Sequence, residues 1–415
     1  MLKYLILGAE GMILTTIIAG LLYAWISGRY GNTGKYILHG FALCGMIAAI
    51  VMSYMKNTTS LVHTGTWNVR IFTVALAAAL LLLVFGLIGM KKRSVFLDRL
   101  VCVMAGIYLA ALLFYALPDI YAAPFNFSLG GAGVFSSAFF TRLVGLLLGV
   151  FLSILAGIAT ARIGSRSPRG LLTGVLVAAV LVNTVHQFGK IASVLYTRRV
   201  ISGTTVFNFV KWSANNEDLF IYGVMAAAAV LPIVMWVRSF HVNEPYENPA
   251  QHRKIRAKWR SIRRWGSTAL ICSILGIVIL SPVKAYANRP VELSPVEESI
   301  LDGDNVYVPL EQVEDGHLHR FAYTTPDDIT VRFIVIKKPN SSSYGVGLDA
   351  CDICGETGYF ERNGQIVCKL CDVVMNINTI GFKGGCNPIV IDYSVGDGYI
   401  CVPTSTLIEH QDEFK

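Results

Sequence analysis

DACDICGETGYFERNGQIVCKLCD, residues 349–372, decides how the C-terminal third of this chain folds. Cys351 and Cys354 form one C-x-x-C and Cys368 and Cys371 a second, with thirteen residues between the pairs. At the centre of that spacer, Asn363-Gly364 is a strong two-residue turn signal. The spacer therefore reads as a hairpin that carries the second pair back to the first. Gly355, directly after Cys354, lets the backbone turn so that N–H groups point at sulfur and favour thiolate. Two such turns facing each other place four thiolates at the corners of a tetrahedron. That geometry suits zinc, a single iron, or the cysteine corners of an iron–sulfur cluster.

The arrangement follows the knuckle–hairpin–knuckle logic of rubredoxin-like and zinc-ribbon sites. Disulfides and free redox thiols are the competing readings of the same spacing. Around the knuckles the sequence reads as strands. ITVRFIVIKK, residues 329–338, is a strand covered on both faces, and HLHRFAY and PIVIDYSV are further strands. Asn340 and Ser341–Ser343 mark a turn, and STLIEH near the end a short helix. Residues 289–415 thus form a small β-rich α+β domain, entered through a polar linker from Asn288 to Ser299 with Pro290 and Pro295.

Upstream the composition changes. Only 15% of the 415 residues are charged, against about 25% for soluble domains, and the shortfall lies in residues 1–288. A helix needs about 20 apolar residues to span a bilayer. Eight such runs occur, at about 4–26, 36–55, 70–90, 97–117, 137–160, 170–195, 218–239 and 266–286. The first, Tyr4 to Ile26, reads as a span rather than a removable signal peptide. The net charge of +8 does not point to nucleic acid, because the basic residues sort by loop. Odd loops carry Arg29 and Lys35; Lys91, Lys92 and Arg93; Arg162, Arg166 and Arg169; and a cluster of Arg253, Lys254, Arg256, Lys258, Arg260, Arg263 and Arg264. Even loops are poorer, although Arg198, Arg199 and Lys211 in the sixth blur the pattern. The positive-inside rule puts odd loops in the cytoplasm. Both termini and the C-terminal domain are then extracytoplasmic in a multi-pass cell-membrane protein, with specific binding of anionic lipid as a second role for the basic cluster.

In an oxidising compartment the six cysteines of the C-terminal domain have the alternative of three disulfides. Cys386, in the glycine-rich GFKGGCNP, is reachable as a further or replacement ligand or as a partner of Cys401. Cys401 lies in a strand-like run and reads as structural. Cys44, Cys102 and Cys272 sit in apolar spans as small packing residues. His317 and His319 form H-x-H, which on a strand puts two imidazoles on one face for copper, iron or zinc; two solvated histidines on an edge strand are the plainer reading. Within the spans, Glu10, Arg142, His186 and Lys190 share the outer depth, with Asn183 and Gln187 on the same helix face as His186 and Lys190. Charge in lipid is costly, so these four are candidates for an outward pocket holding a metal, a quinone headgroup or the docked soluble domain. Interhelical hydrogen bonds and snorkelling side chains would also account for them.

YGVGLDACDICGETGY, IVCKLCD and IGFKGGCNP together resemble the FtrD-like family of membrane iron–sulfur proteins, over the C-terminal ~110 residues. The resemblance implies an iron–sulfur centre on Cys351, Cys354, Cys368 and Cys371. It also implies electron transfer in a bacterial iron-uptake system beside an iron permease and periplasmic iron-binding or cupredoxin-like proteins. The residues alone define a four-thiolate site for iron, a cluster or zinc. A metal-delivery or transport subunit and a zinc-stabilised scaffold of an uptake complex are the alternative functions. No hydrolase triad or phosphate loop is present.

Overall fold

A helix of 57 residues opens the chain, α1 (Leu2–Thr58), and its length explains its shape. Straight, it would run about 86 Å at 1.5 Å per residue, nearly three times a hydrocarbon core. It turns instead at Gly31, whose φ of +64° and ψ of −146° suit only a residue without Cβ. The Tyr23 and His39 rings stack at 5.6 Å, where a straight helix would hold them about 24 Å apart. The arms therefore lie side by side and account for the first two runs. The computed structural model describes residues 1–59, 62–91, 94–129, 136–242, 244–289, 291–339, 341–362, 364–371, 373–382 and 386–415. Lys92, Arg93, Pro290, Asn340, Asn363, Asp372, Lys383, Gly384 and Gly385, each part of a motif above, lie outside the described residues.

The chain divides into two compact units, Met1–Asn288 and Arg289–Lys415. In the first, α2 (Thr64–Lys91), α3 (Val95–Leu129), α4 (Ser137–Gly164) and α5 (Arg169–Thr197) follow α1. Next come α6 (Thr204–Asn215), α7 (Glu217–Arg238) and α8 (Pro249–Val278), which continues through a π-helical turn at Pro282 into α9 (Lys284–Ala287). Seven of these helical stretches are long and apolar enough to cross a membrane; with α1 doubled, they supply the eight runs. The basic cluster begins α8, whose N-terminus is capped by Asn248 accepting from the Gln251 N–H at 2.8 Å. Small residues set the closest packing. A Cβ on Gly8 of α1 would lie 2.6 Å from the Leu146 carbonyl of α4, and one on Gly149 would lie 2.8 Å from the Ala9 nitrogen. Backbone-to-backbone approach of this kind holds helices together in lipid.

The second unit is a layered β structure. Its first sheet has the order β1-β2-β10-β9, formed by β1 (Ile300–Asp302), β2 (Asn305–Pro309), β9 (Ser394–Gly396) and β10 (Tyr399–Pro403). The second joins β3 (His319–Thr324), β4 (Thr330–Lys337) and β5 (Tyr344–Leu348). The third joins β6 (Tyr359–Arg362), β7 (Gln365–Cys368) and β8 (Val374–Met375). All pairings are antiparallel, with Phe321 opposite Phe333 and Ile334 opposite Gly347. Short helices α10 (Leu310–Val313) and α11 (Thr404–Glu409) follow β2 and β10. Strand β4 is the centre. Phe333 and Val335 join Val308, Ile400 and Val402 of the first sheet in one core; Ile334 and Ile336 join Tyr359, Ile366 and Cys368 of the third in another. A strand covered on both faces is the reason for its unbroken apolar run. Of PIVIDYSV, only the end is strand.

Candidate metal centre

The first knuckle leaves β5 through Asp349 and Ala350. Cys351 and Gly355 exchange backbone bonds at 3.2 and 2.9 Å, and Gly355 takes φ +63°, the left-handed turn that closes the loop. Inside it the Cys354 N–H donates to the Cys351 sulfur at 3.2 Å. The β6–β7 hairpin pairs Tyr359 with Cys368 and Arg362 with Gln365. Cys368 then opens the second knuckle, its N–H on the Val373 carbonyl at 3.0 Å.

A buried ion pair fixes the first knuckle from behind. Arg320 and Asp349 are 1% and 0% exposed and meet at 2.8 Å. Asp349 also accepts from the Tyr359 N–H at 2.8 Å, while Arg320 donates to Ser294 and to the Tyr359 carbonyl. Gly358 must be glycine: a Cβ there would meet Leu293 at 2.8 Å and the Asp349 carboxylate at 2.9 Å. The Tyr359 hydroxyl donates to the Cys386 carbonyl at 2.6 Å and ties the third cysteine segment to the hairpin.

These anchors gather the sulfurs. Cys354, Cys371 and Cys386 offer sulfurs that all lie within 4.8 Å of one another, with Cys371 and Cys386 at 3.7 Å. Cys351 and Cys368 are buried, each 1% exposed. All the cysteines are free. A tetrahedral thiolate site with metal–sulfur bonds near 2.3 Å separates its sulfurs by about 3.8 Å. The observed spacing of Cys354, Cys371 and Cys386 fits three corners of such a centre, while Cys351 and Cys368 lie outside that compact group. Burial, then the neighbouring thiols of Cys368 and Cys371, pushes the Cys354 thiol up. Burial and Cys371 do the same to Cys386. Burial also acts to raise Cys371, but the Val373 N–H and the thiols of Cys368, Cys386 and Cys354 outweigh it and bring it down. Cys371, the exposed member, is the one that ionises most readily.

The other candidate residues lie elsewhere. His317 precedes β3 rather than lying on it, and its Nδ1 meets Glu361 at 3.0 Å. His319 is held at both ring nitrogens, by Glu297 at 3.0 Å and Asp315 at 2.8 Å, which leaves none for a metal. Cys401 sits on β10 opposite Tyr307. In the membrane unit, Glu10, His186 and Lys190 line one cavity of about 260 Å³ with Asp119, Asn183, Gln187 and Glu217. Arg142 is not among its lining residues and donates to the Phe127 carbonyl at 3.4 Å. Glu217, Asp119 and Arg320 carry no sequence signal of their own. Glu217 stands at a span end, where charge is ordinary, and Arg320 lies in a plain strand.

Searches of curated proteins and of solved structures gave no match. Residues 313–414, which hold the knuckles and the Cys386 segment, match the family model described as "Membrane iron-sulfur containing protein FtrD-like", so the resemblance carried by the cysteine motifs holds over the unit that contains them.

Proposed function

We propose that this protein is a membrane electron-transfer component of a bacterial iron-uptake system, working through a cysteine centre on the extracytoplasmic side of the cell membrane. Underneath lies the coarser conclusion that this is a multi-pass membrane protein with a metal-binding cysteine cluster. The observation that supports the finer reading is the asymmetry of the cluster: Cys351 and Cys368 are sealed in the core while Cys371 opens to solvent. A bound iron or iron–sulfur group supplies one-electron chemistry at such a place. Cys354, Cys371 and Cys386 would hold it; the Arg320–Asp349 pair fixes the first knuckle and Tyr359 the Cys386 segment.

The knuckle tips also support a redox role. Ile353 and Leu370, the residues inside the two C-x-x-C turns, are 68% and 63% exposed, and Phe382 before Cys386 is 61% exposed. Apolar side chains beside a solvent-facing centre suit brief docking of an electron-transfer partner, whose contacts are small. An iron permease and periplasmic iron-binding or cupredoxin-like proteins are the partners of this reading. Dithionite and ferricyanide added in turn to anaerobically purified protein test it. Reversible bleaching and return of visible absorption are expected. A colourless protein with one zinc per chain would replace the electron carrier with a zinc-stabilised scaffold, because zinc is redox-inert.

A further inference from the structure

The cavity in the membrane unit has an uneven balance of partners. Its carboxylates are matched: Glu10 to Lys284 at 3.2 Å, Asp119 to Lys56 at 3.4 Å, and Glu217 to Lys190. With those charges answered, the cavity makes little demand for a metal cation. The unmatched atoms are neutral. Gln187 is 1% exposed, yet neither its amide nitrogen nor its amide oxygen has a partner among the described residues; the same holds for Nε2 of His186. Buried polar atoms are almost always paired, so three orphans on two residues that line one cavity point to a ligand. The His186 ring is held by stacking on Phe220 at 5.1 Å, and Phe72, Leu112 and Ile221 supply apolar walls.

We propose that this cavity, between α1, α3, α5 and α7, binds the headgroup of a membrane quinone. The ring's faces suit the apolar walls. Its carbonyl oxygens accept from the Gln187 amide N–H and from His186, and in the quinol form a hydroxyl donates to the Gln187 oxygen. The cavity of about 260 Å³ lies just below the range for whole drug-sized ligands, so it takes the headgroup and leaves an isoprenoid tail in lipid. The inference concerns the membrane unit alone and stands whether or not the cysteine centre holds iron.

The test is equilibrium titration of the full chain in lipid nanodiscs with decylubiquinone and a decyl-tailed naphthoquinone, read by tryptophan quenching. Trp212, whose ring meets Phe220 at 5.9 Å, lies close enough to report. Saturable quenching by at least one tailed quinone is expected, weakened tenfold or more in Gln187→Leu and in His186→Phe. Both variants replace an unpaired polar group by an apolar one of similar size. A photoreactive azidoquinone on the wild-type chain gives an independent reading: peptide mapping should place the label on α5 or α7. Quenching that never saturates, folded variants that bind as tightly as wild type, or labelling confined to other helices would overturn the proposal. Tighter binding of the tail-less benzoquinone than of the tailed forms would also overturn it, by assigning the site to a water-soluble dicarbonyl compound.

Discussion

Asp349 is completely buried and receives three groups: Arg320 at 2.8 Å, Arg332 at 3.4 Å and the Tyr359 N–H at 2.8 Å. Removing one partner of a buried pair strands the other's charge, at a cost of about 3–5 kcal/mol. Asp349→Ala should lower domain stability by that order and loosen the first knuckle. Chemical denaturation of the purified protein measures it; a loss below about 1 kcal/mol, the worth of an exposed pair, would contradict the anchoring role. His319 makes a different prediction. Burial acts to lower its titration point, but the hydrogen bonds to Asp315 and Glu297 outweigh it and the point is raised. A histidine with a raised folded value stabilises fully below its unfolded value, about 6.5, and the contribution fades as pH climbs through the folded value. Thermal midpoints of wild type and His319→Gln should therefore differ most near pH 6 and converge at alkaline pH. A gap that widens with rising pH would mean the opposite sign.

The helices and strands were legible wherever one periodicity ran long enough. Strand β4 shows in ITVRFIVIKK because both its faces are covered, and the pairing of β6 with β7 shows in the spacer between the two C-x-x-C pairs, which the sequence reads as a hairpin. The two arms of α1 read as separate spans, but their union at Gly31 does not, since a glycine between spans also suits an ordinary loop. Amphipathic α6 went unread: twelve residues are too few to span, and its Phe207 and Trp212 are 44% and 48% exposed. PIVIDYSV has the composition of a strand, yet its first residues instead bond to the knuckle strand, Ile389 to Ala350 and Leu348 to Ile389. The seam between α1 and α4 belongs to this scale too. Gly149→Leu would push a side chain into the Gly8–Ala9 backbone, where flexible atoms are not available to yield. Overpacking costs about 1–3 kcal/mol. The melting midpoint in detergent should fall, while Gly174→Leu, with open space at its Cβ, should leave it unchanged.

At the scale of the whole chain, the orientation we propose puts the basic first half of α8 in the cytoplasm and the C-terminal unit outside. With Ile255→Cys and Ile300→Cys, a membrane-impermeant thiol reagent on spheroplasts should add label at 300 and reach 255 only after lysis; the reverse pattern would invert the orientation. The two C-x-x-C pairs and Cys386 were all candidates in the sequence, but which of them share one point was not: local spacing cannot say that Cys354 and Cys371 group with Cys386, whose carbonyl the Tyr359 hydroxyl holds, rather than with Cys351 and Cys368. The place of Cys386 in the compact trio means that metal retention, and not activity alone, should depend on it. His317 and His319 looked like ligands because H-x-H says nothing about the carboxylates that Glu297, Asp315 and Glu361 bring from elsewhere. The central claim is that these cysteines form one metal centre, and quantitation of iron, zinc and acid-labile sulfide with electron paramagnetic resonance on anaerobically purified protein tests it most directly. One centre per chain is expected in wild type and in Cys401→Ser, lost in Cys354→Ser, Cys371→Ser and Cys386→Ser. Metal-free wild-type protein, or full metal content in all three of those variants, would contradict it.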